Sequence, residues 1–160
     1  MNAPPLTSDL PTLDLAPALV VLPGPRAAVA SGAAEGVLLR PPQARDLLEA
    51  GPVMVAHAGM TARRLGQNTP PRSPRIFDVL ELFAFVRPAQ FCAPSAAGLA
   101  LALGQSEPKG VSELARSVVR SADLLLKEVA AWSQNARAEA LAQAETMGRA
   151  GWPWAAPLIG

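Results

Sequence analysis

The chain has 160 residues, half of them hydrophobic, and its 14 basic and 13 acidic side chains leave a formal net charge of +1. This length suits one ordinary domain. The balanced charge argues against a strongly basic protein that wraps nucleic acid and against a polybasic membrane anchor. The single cysteine, Cys92, excludes an internal disulfide and indicates a reducing compartment. Because neither a signal sequence nor a membrane span is recognisable, we expect a cytoplasmic protein without a membrane partner.

The beginning of the chain predicts strands joined by Gly/Pro turns. Residues 1–17 contain four prolines and no periodicity, and we interpret them as a flexible leader. Three short apolar runs follow, namely Ala18 to Leu22, Arg26 to Ala30 and Val37 to Leu39, with turn residues between them. Short β-rich runs with such links predict a three-stranded antiparallel meander.

Beyond the meander, the pattern predicts a helix, a strand and a second helix. The first helix is short, includes Ala44 and has proline in its first turn. Val53 to Ala56 form a continuous apolar run that is typical of a buried strand. A helical crossover predicts that this strand is parallel to the first one, and we expect it to be central in the sheet. Thr61 to Leu65 predict the second helix, and residues 67–75 a Pro-rich loop.

The second half of the chain predicts helices. We expect one helix beginning at Ile76, another over Ala96 to Leu103 with Ser95 as its N-cap, and a long amphipathic helix over Val111 to Trp132. The Ala-rich residues 136–147 predict a weak extension of the long helix.

The tail holds two tryptophans, Trp152 and Trp154, on either side of a proline. Such a pair predicts either an anchor for an interface or a cover for the domain's own core. The sequence then ends on an apolar stretch without a polar close, from which we expect that it continues downstream.

Motifs that carry chemistry are scarce. The sequence has no Walker-type phosphate loop and no Gly-x-Ser-x-Gly turn, so we expect no cofactor in this chain. His57 directly follows a predicted strand, where catalytic residues occur in α/β folds, but a histidine bonded to a backbone carbonyl is the simpler interpretation. Asp78 and Glu81 have helical i,i+3 spacing, which is typical of exposed or arginine-paired acids and also allows a carboxylate pair.

Basic residues are concentrated near the middle of the chain. Arg63, Arg64, Arg72 and Arg75 lie in a stretch without acids from Ala50 to Phe77. Guanidinium groups in such a cluster are candidates for contacts with the phosphates of a nucleic acid. The alternative interpretation is a solvated face that keeps an apolar domain soluble.

Three segments resemble a known family. They are RIFDVLELFAFVRP (residues 75–88), GLALALG (residues 98–104) and, upstream, VAHAGMTARRL (residues 55–65). They resemble the helices and the strand-to-helix element of proofreading exonucleases of the DEDD (DnaQ-like) class. The resemblance implies an α/β fold of the ribonuclease H-like type, with a three-stranded antiparallel meander, parallel strands and helices packed on the sheet.

A more specific resemblance is to the N-terminal region of bacterial DinG-type ATP-dependent DNA helicases. It is carried by FDVLELFAFVRPAQF (residues 77–91) and by the Trp-Pro-Trp tail, and it spans roughly residues 18–157. It implies a ribonuclease H-like domain over residues 18–133, then an Ala-rich helix and tail over residues 134–160 that lead to a helicase motor. DNA would be the partner, and ATP and magnesium would bind only in that motor.

The sequence departs from the exonuclease pattern at the positions of all four carboxylates. The Asp-x-Glu of the first strand corresponds to Val20 to Leu22, and the acid of the second motif to Ala62. The asparagine after the histidine corresponds to Ala58, and the last His and Asp correspond, loosely, to Ser112 and Ser117. Nucleases of this class use two divalent metals bridged by carboxylates, so the resemblance implies a pseudo-exonuclease without a metal site.

Three functions remain open from the sequence. The first is a non-catalytic domain that serves an ATP-dependent DNA helicase as a structural or DNA-positioning module. The second is a free-standing α/β interaction domain without a role in nucleic-acid binding. The third is a divergent 3'-5' exonuclease whose acids come from elsewhere, for example Asp78 and Glu81.

Overall fold

The structure, a computed structural model, describes residues 15–32, 34–71 and 75–160, which form a mixed sheet and its helices. The strands in these ranges are β1 (Ala18–Leu22), β2 (Arg26–Ala30), β3 (Val37–Leu39), β4 (Val53–Val55) and β5 (Ile76–Asp78). The helices are α1 (Pro41–Ala50), α2 (Ala58–Arg64), α3 (Val79–Val86), α4 (Ala96–Ala102), α5 (Gly110–Ala130), α6 (Gln134–Arg149) and α7 (Ala155–Ile159).

The strands lie in the order β3-β2-β1-β4-β5. The pairs β1–β2 and β2–β3 are antiparallel, whereas β1–β4 and β4–β5 are parallel. The predicted meander and the predicted parallel strand are therefore confirmed. The expectation that β4 is central is wrong, because β1 holds the middle of the sheet and β4 lies between β1 and β5.

Alternating side chains of the strands supply two separate cores, one on each face of the sheet. Val20, Ala28 and Met54 belong to the core that α3, α4 and α5 cover. Val21 and Val55 belong to the other core, which α1 and α2 cover. Helices on both faces explain why β1 and β4 are apolar at every position and show no polar alternation.

The long helix α5 packs its apolar stripe against β1 and β2. Leu114, Val118 and Leu125 are buried along this stripe, as the periodicity predicts. The helix ends at Ala130, and the Ser133 hydroxyl accepts a hydrogen bond from the Ala136 N–H to cap α6. The predicted weak extension of the long helix is thus wrong, since a new N-cap starts a separate helix.

The helix predicted from Ile76 begins three residues later. Ile76 and Phe77 are extended and pair with Val53 and Met54 of β4. The carboxylate of Asp78 accepts hydrogen bonds from the first free N–H groups of α3 and thereby fixes the start of that helix. The sequence pattern missed β5 because Ile76 has helical spacing to the apolar residues Leu80 and Phe83.

Much of the predicted leader, residues 1–17, lies outside the described residues. Ala16 is buried, and the carbonyl of Pro17 accepts a hydrogen bond of 2.8 Å from the Met54 N–H. Residues 15–17 therefore belong to the folded part of the chain.

The C-terminal residues pack on the same core as the sheet. Ala144 of α6 and Leu158 of α7 are buried there together with Trp154, which is 0% exposed. The Trp154 ring meets Phe77 edge-on at 5.0 Å, and its Nε1 donates a 2.8 Å hydrogen bond to the Asp78 carbonyl. Of the two interpretations of the tryptophan pair, Trp154 fits the cover for the domain's own core.

Over the ranges that the structure describes, no helix has the length and apolar character needed to cross a bilayer.

Candidate functional site

A cleft of about 130 Å³ opens at the carboxyl ends of β1 and β4, and we call it the strand-end cleft. From β1 the chain turns to β2 on one side, while β4 is the parallel neighbour on the other. Ligands of open α/β sheets commonly bind in a crevice at such a switch in strand order. Its polar lining residues are His57, Thr61, Arg64 and Ser95, and the remainder of the lining is apolar.

The turn from β4 into α2 fixes the histidine of the cleft. His57 is the N-cap of α2, and its Nδ1 accepts a 3.3 Å hydrogen bond from the Met60 N–H. Thr61 holds the same turn, because its Oγ1 donates a 2.9 Å hydrogen bond to the His57 carbonyl. The expectation that this ring bonds a backbone carbonyl is therefore wrong, since the ring accepts from a backbone amide.

Arg64 reaches from the end of α2 to the end of the central strand. Its Nη1 donates a 2.7 Å hydrogen bond to the carbonyl of Val21, and the residue is half-buried. Val21 lies near the carboxyl end of β1, where it is opposite Ala27 of β2. The guanidinium therefore bonds a backbone carbonyl of one cleft-lining residue, Val21, and is itself part of the lining.

The four arginines proposed for phosphate contacts do not all lie together. Arg63 is exposed next to Arg64, whereas Arg75 lies at the opposite end of the sheet. The Arg75 carbonyl accepts a hydrogen bond of 2.9 Å from the Val53 N–H, at the amino end of β4. Arg72 lies outside the described residues. Arg63 and Arg64 thus lie together in the last turn of α2, whereas the backbone of Arg75 lies at the amino end of β4.

The positions that correspond to the exonuclease carboxylates have structural roles. Ala62, on α2, is fully buried in the core that α1 and α2 cover, and Ala58, at the position of the asparagine, donates its N–H to Asp78. Ser117 is buried in α5, where its Oγ donates to the Leu114 carbonyl at 2.7 Å. No acidic side chain is among the residues that line the strand-end cleft. The described parts of the chain also bring together no group of three or more His, Cys, Asp or Glu suited to a metal.

A second, larger cavity of about 450 Å³ lies beside Asp78, Glu81 and Trp152. Asp78 is only 8% exposed, and its carboxylate accepts hydrogen bonds from the N–H groups of Ala58, Leu80 and Glu81 at 2.8, 3.0 and 3.3 Å. Burial raises the pKa of Asp78 above its ordinary value of 3.8, although these hydrogen bonds oppose the shift. The expectation of an exposed or arginine-paired Asp78 is wrong, because the residue caps α3 and joins it to α2.

Glu81 lies at the rim of this second cavity. Its Oε2 accepts a 3.2 Å hydrogen bond from the indole Nε1 of Trp152. Partial burial, followed by the charge of Asp78, raises the pKa of Glu81 above 4.5. Both acids are thus engaged in holding the chain together, and neither faces the strand-end cleft.

Comparison with known protein families, with curated proteins and with solved structures finds no match for this chain.

The strand-end cleft also contains residues that the sequence did not single out. Met60 and Ser95 come from two different helix starts, and Leu114 comes from a third helix. Only the topology brings these segments to the ends of β1 and β4. The sequence predicted Ser95 as the N-cap of α4 and Leu114 as part of the apolar stripe of α5, but neither signal pointed to a site. The Ser95 hydroxyl does accept a hydrogen bond from the Gly98 N–H.

Proposed function

We propose that this chain is a non-catalytic, ribonuclease H-like domain that positions DNA for an ATP-dependent helicase motor of the DinG type. The observation that carries this proposal is the chemistry of the strand-end cleft. It lies where open α/β sheets bind their ligands, yet its lining contains no carboxylate. The strand order and directions also agree with the fold that the family resemblance implies.

The structural roles of Asp78 and Glu81 weigh against a divergent exonuclease. A nuclease of the two-metal type needs carboxylates with free oxygens around the reacting phosphate. Asp78 uses both oxygens on backbone N–H groups, and one oxygen of Glu81 accepts from Trp152. Releasing the Asp78 oxygens for metals would remove the acceptors of part-buried N–H groups at the starts of α2 and α3.

Nuclease and thermal-shift assays test the non-catalytic part of the proposal. We expect no metal-dependent digestion of labelled single-stranded DNA, and no rise in melting temperature with magnesium or manganese. A metal that binds only the folded state would raise the melting temperature by mass action. Digestion that requires metal and disappears in Asp78→Asn, a variant shown to be folded, would replace the proposal by the exonuclease function.

DNA binding is tested best at Arg63, which is exposed and forms no hydrogen bond or ion pair that Arg63→Ala would break within the described residues. We expect the wild type to bind single-stranded DNA weakly, with a Kd of about 10⁻⁴ to 10⁻⁶ M that increases with salt. Loss of one phosphate contact in Arg63→Ala should lower the slope of log K against log salt by about 1. Arg120→Ala is the matched control, because Arg120 is exposed on α5, on the opposite face of the sheet. Equal slopes in all three proteins would contradict a DNA role for Arg63.

The link to a motor is tested in the coding sequence beyond Gly160. A Walker motif in the same reading frame would support the helicase, and an immediate stop codon would favour the free-standing interaction domain. Binding of DNA and attachment to a motor are independent results, so each part of the proposal can fail separately.

A further inference from the structure

We propose that the strand-end cleft binds a small organic monoanion whose body is about the size of one six-membered ring. The apolar body would occupy the cleft, and its carboxylate would contact the guanidinium of Arg64. This inference goes beyond the proposed function and does not depend on it, because it concerns a free small molecule and not DNA.

The size of the ligand follows from the volume and the lining of the cleft. The cleft holds about 130 Å³, and its walls include Leu22, Ala56, Met60, Ala97 and Leu114. An apolar cavity of about 150 Å³ is known to accommodate benzene in a protein interior. Small-molecule sites are generally concave and mostly apolar, with a few polar groups that fix the orientation of the ligand.

The charge of the ligand follows from Arg64. A guanidinium has five N–H donors, and among the described residues Arg64 uses one of them, toward Val21. That hydrogen bond anchors the side chain at the cleft, so less conformational entropy is lost when an anion binds. Since the residues that line the cleft include no acid, a carboxylate would meet the positive charge of Arg64 there.

His57 supplies the second polar group. Its Nδ1 accepts from the Met60 N–H, so Nε2 is the ring nitrogen that can donate to a ligand. One guanidinium and one ring N–H suit a single carboxylate. A metal ion would face Arg64 without any carboxylate to coordinate it, and a polyanion would bring charges that no further lining residue could pair.

Methyl NMR on the whole chain with benzoate as the probe tests the proposal. The sequence has four methionines, and Met60 lines the cleft while Met54 is buried in the sheet and Met147 lines the other cavity. We expect saturable shifts of the Met60 methyl signal and a constant Met147 signal. Benzyl alcohol, which is neutral and of similar shape, should bind at least about tenfold more weakly, because it lacks the charge-assisted hydrogen bond.

Two variants locate the site. Arg64→Gln should weaken benzoate binding about tenfold or more, whereas Arg45→Gln should leave it unchanged. Arg45 is a matched control, since its Nε donates 3.0 Å to the Leu65 carbonyl but the residue does not line the cleft. Ala97→Leu should abolish binding by filling the cleft. Because this variant retains Arg64, it still tests the site if Arg64→Gln fails to fold. An unshifted Met60, equal binding of benzyl alcohol, or undiminished binding to Ala97→Leu would each overturn the proposal.

Discussion

Asp78 is a single carboxylate that connects two helix starts. It accepts the N–H of Ala58 at the beginning of α2 and those of Leu80 and Glu81 at the beginning of α3. A helix leaves its first N–H groups without intrahelical partners, and a buried N–H that loses its acceptor is costly. The residue therefore contributes to the local geometry of both elements at once.

Replacing this carboxylate by an amide should destabilise the protein. Asp78→Asn keeps one acceptor oxygen but turns an NH₂ group toward backbone donors, which should lower the free energy of unfolding by about 1–3 kcal/mol at neutral pH. Urea denaturation measures the difference. Asp123→Asn is the control, since Asp123 forms a surface ion pair of 2.6 Å with Lys127 and should cost at most about 1 kcal/mol. Equal losses in both variants would contradict the role of Asp78 as a buried double cap.

The raised pKa of Asp78 adds a pH dependence with a defined sign. Because the folded state holds this proton more tightly than the unfolded state, protonation favours the fold. As pH rises from the ordinary value of 3.8 through the raised pKa, the wild type should lose stability relative to Asp78→Asn. The pKa of Glu81, raised in part by the charge of Asp78, acts in the same direction. Urea titrations of both proteins across the acidic range provide the measurement, and a wild type that gains stability relative to the variant would contradict it.

Gly98 shows how one residue limits the packing between a loop and a helix. A Cβ at this position would lie 2.1 Å from the Ala93 carbonyl oxygen, closer than any real contact. Alanine is the better helix former by about 1 kcal/mol, so propensity alone predicts a gain in stability. We expect the steric clash to outweigh this gain, so that Gly98→Ala lowers the free energy of unfolding by about 2 kcal/mol or more, as measured by thermal or urea denaturation. Gly59→Ala is the milder control, because its Cβ would meet the His57 ring at 3.2 Å; an unchanged Gly98→Ala would show that the loop yields.

Among the elements, those with a long apolar period or with turn residues on both sides were predictable, and β5 was not. The sequence located β1, β2 and β3 as well as α5, because each has an apolar pattern long enough to recognise or turn residues on both sides. It placed β5 inside a helix, since Ile76 has the correct spacing to Leu80 and only the pairing with β4 makes it a strand. Tertiary pairing thus overrode a local helical pattern.

Docking of α5 on the sheet gives a test with an adjacent control. Leu125 is 0% exposed and Leu124 is 40% exposed, although they are neighbours on the same helix. Leu125→Asp should lower the free energy of unfolding by about 4 kcal/mol or more, because it places an unpaired charge in the core. Leu124→Asp should change it by about 0.5 kcal/mol or less. Similar melting temperatures for the two variants would mean that α5 is not docked as described.

At the scale of the whole molecule, the candidate site was the least predictable feature. The sequence grouped Arg63, Arg64 and Arg75 because they are close along the chain, but the fold directs Arg64 to the end of β1 and leaves Arg75 beside the start of β4. The strand-end cleft combines residues of β1, α2, α4 and α5, which no local pattern connects. The sequence suggested a site without carboxylates only through the exonuclease resemblance, and that resemblance stays a prediction.

The C-terminal residues decide whether the chain behaves as one folding unit. Trp154 packs its ring against Phe77 of β5 and donates its N–H to the Asp78 carbonyl, whereas Trp152 is only half-buried. Trp154→Ala should therefore lower the free energy of unfolding by about 3–5 kcal/mol, from the cavity and the orphaned carbonyl, and Trp152→Ala by clearly less. Trp154→Phe isolates the hydrogen bond and should cost about 1–3 kcal/mol. Deleting residues 134–160 should shift the urea unfolding transition of the remaining chain to lower urea concentration. The reason is that Ala144, Trp154 and Leu158 complete the core that α3, α4 and α5 cover. An unchanged cooperative transition would mean that residues 134–160 are an independent appendage.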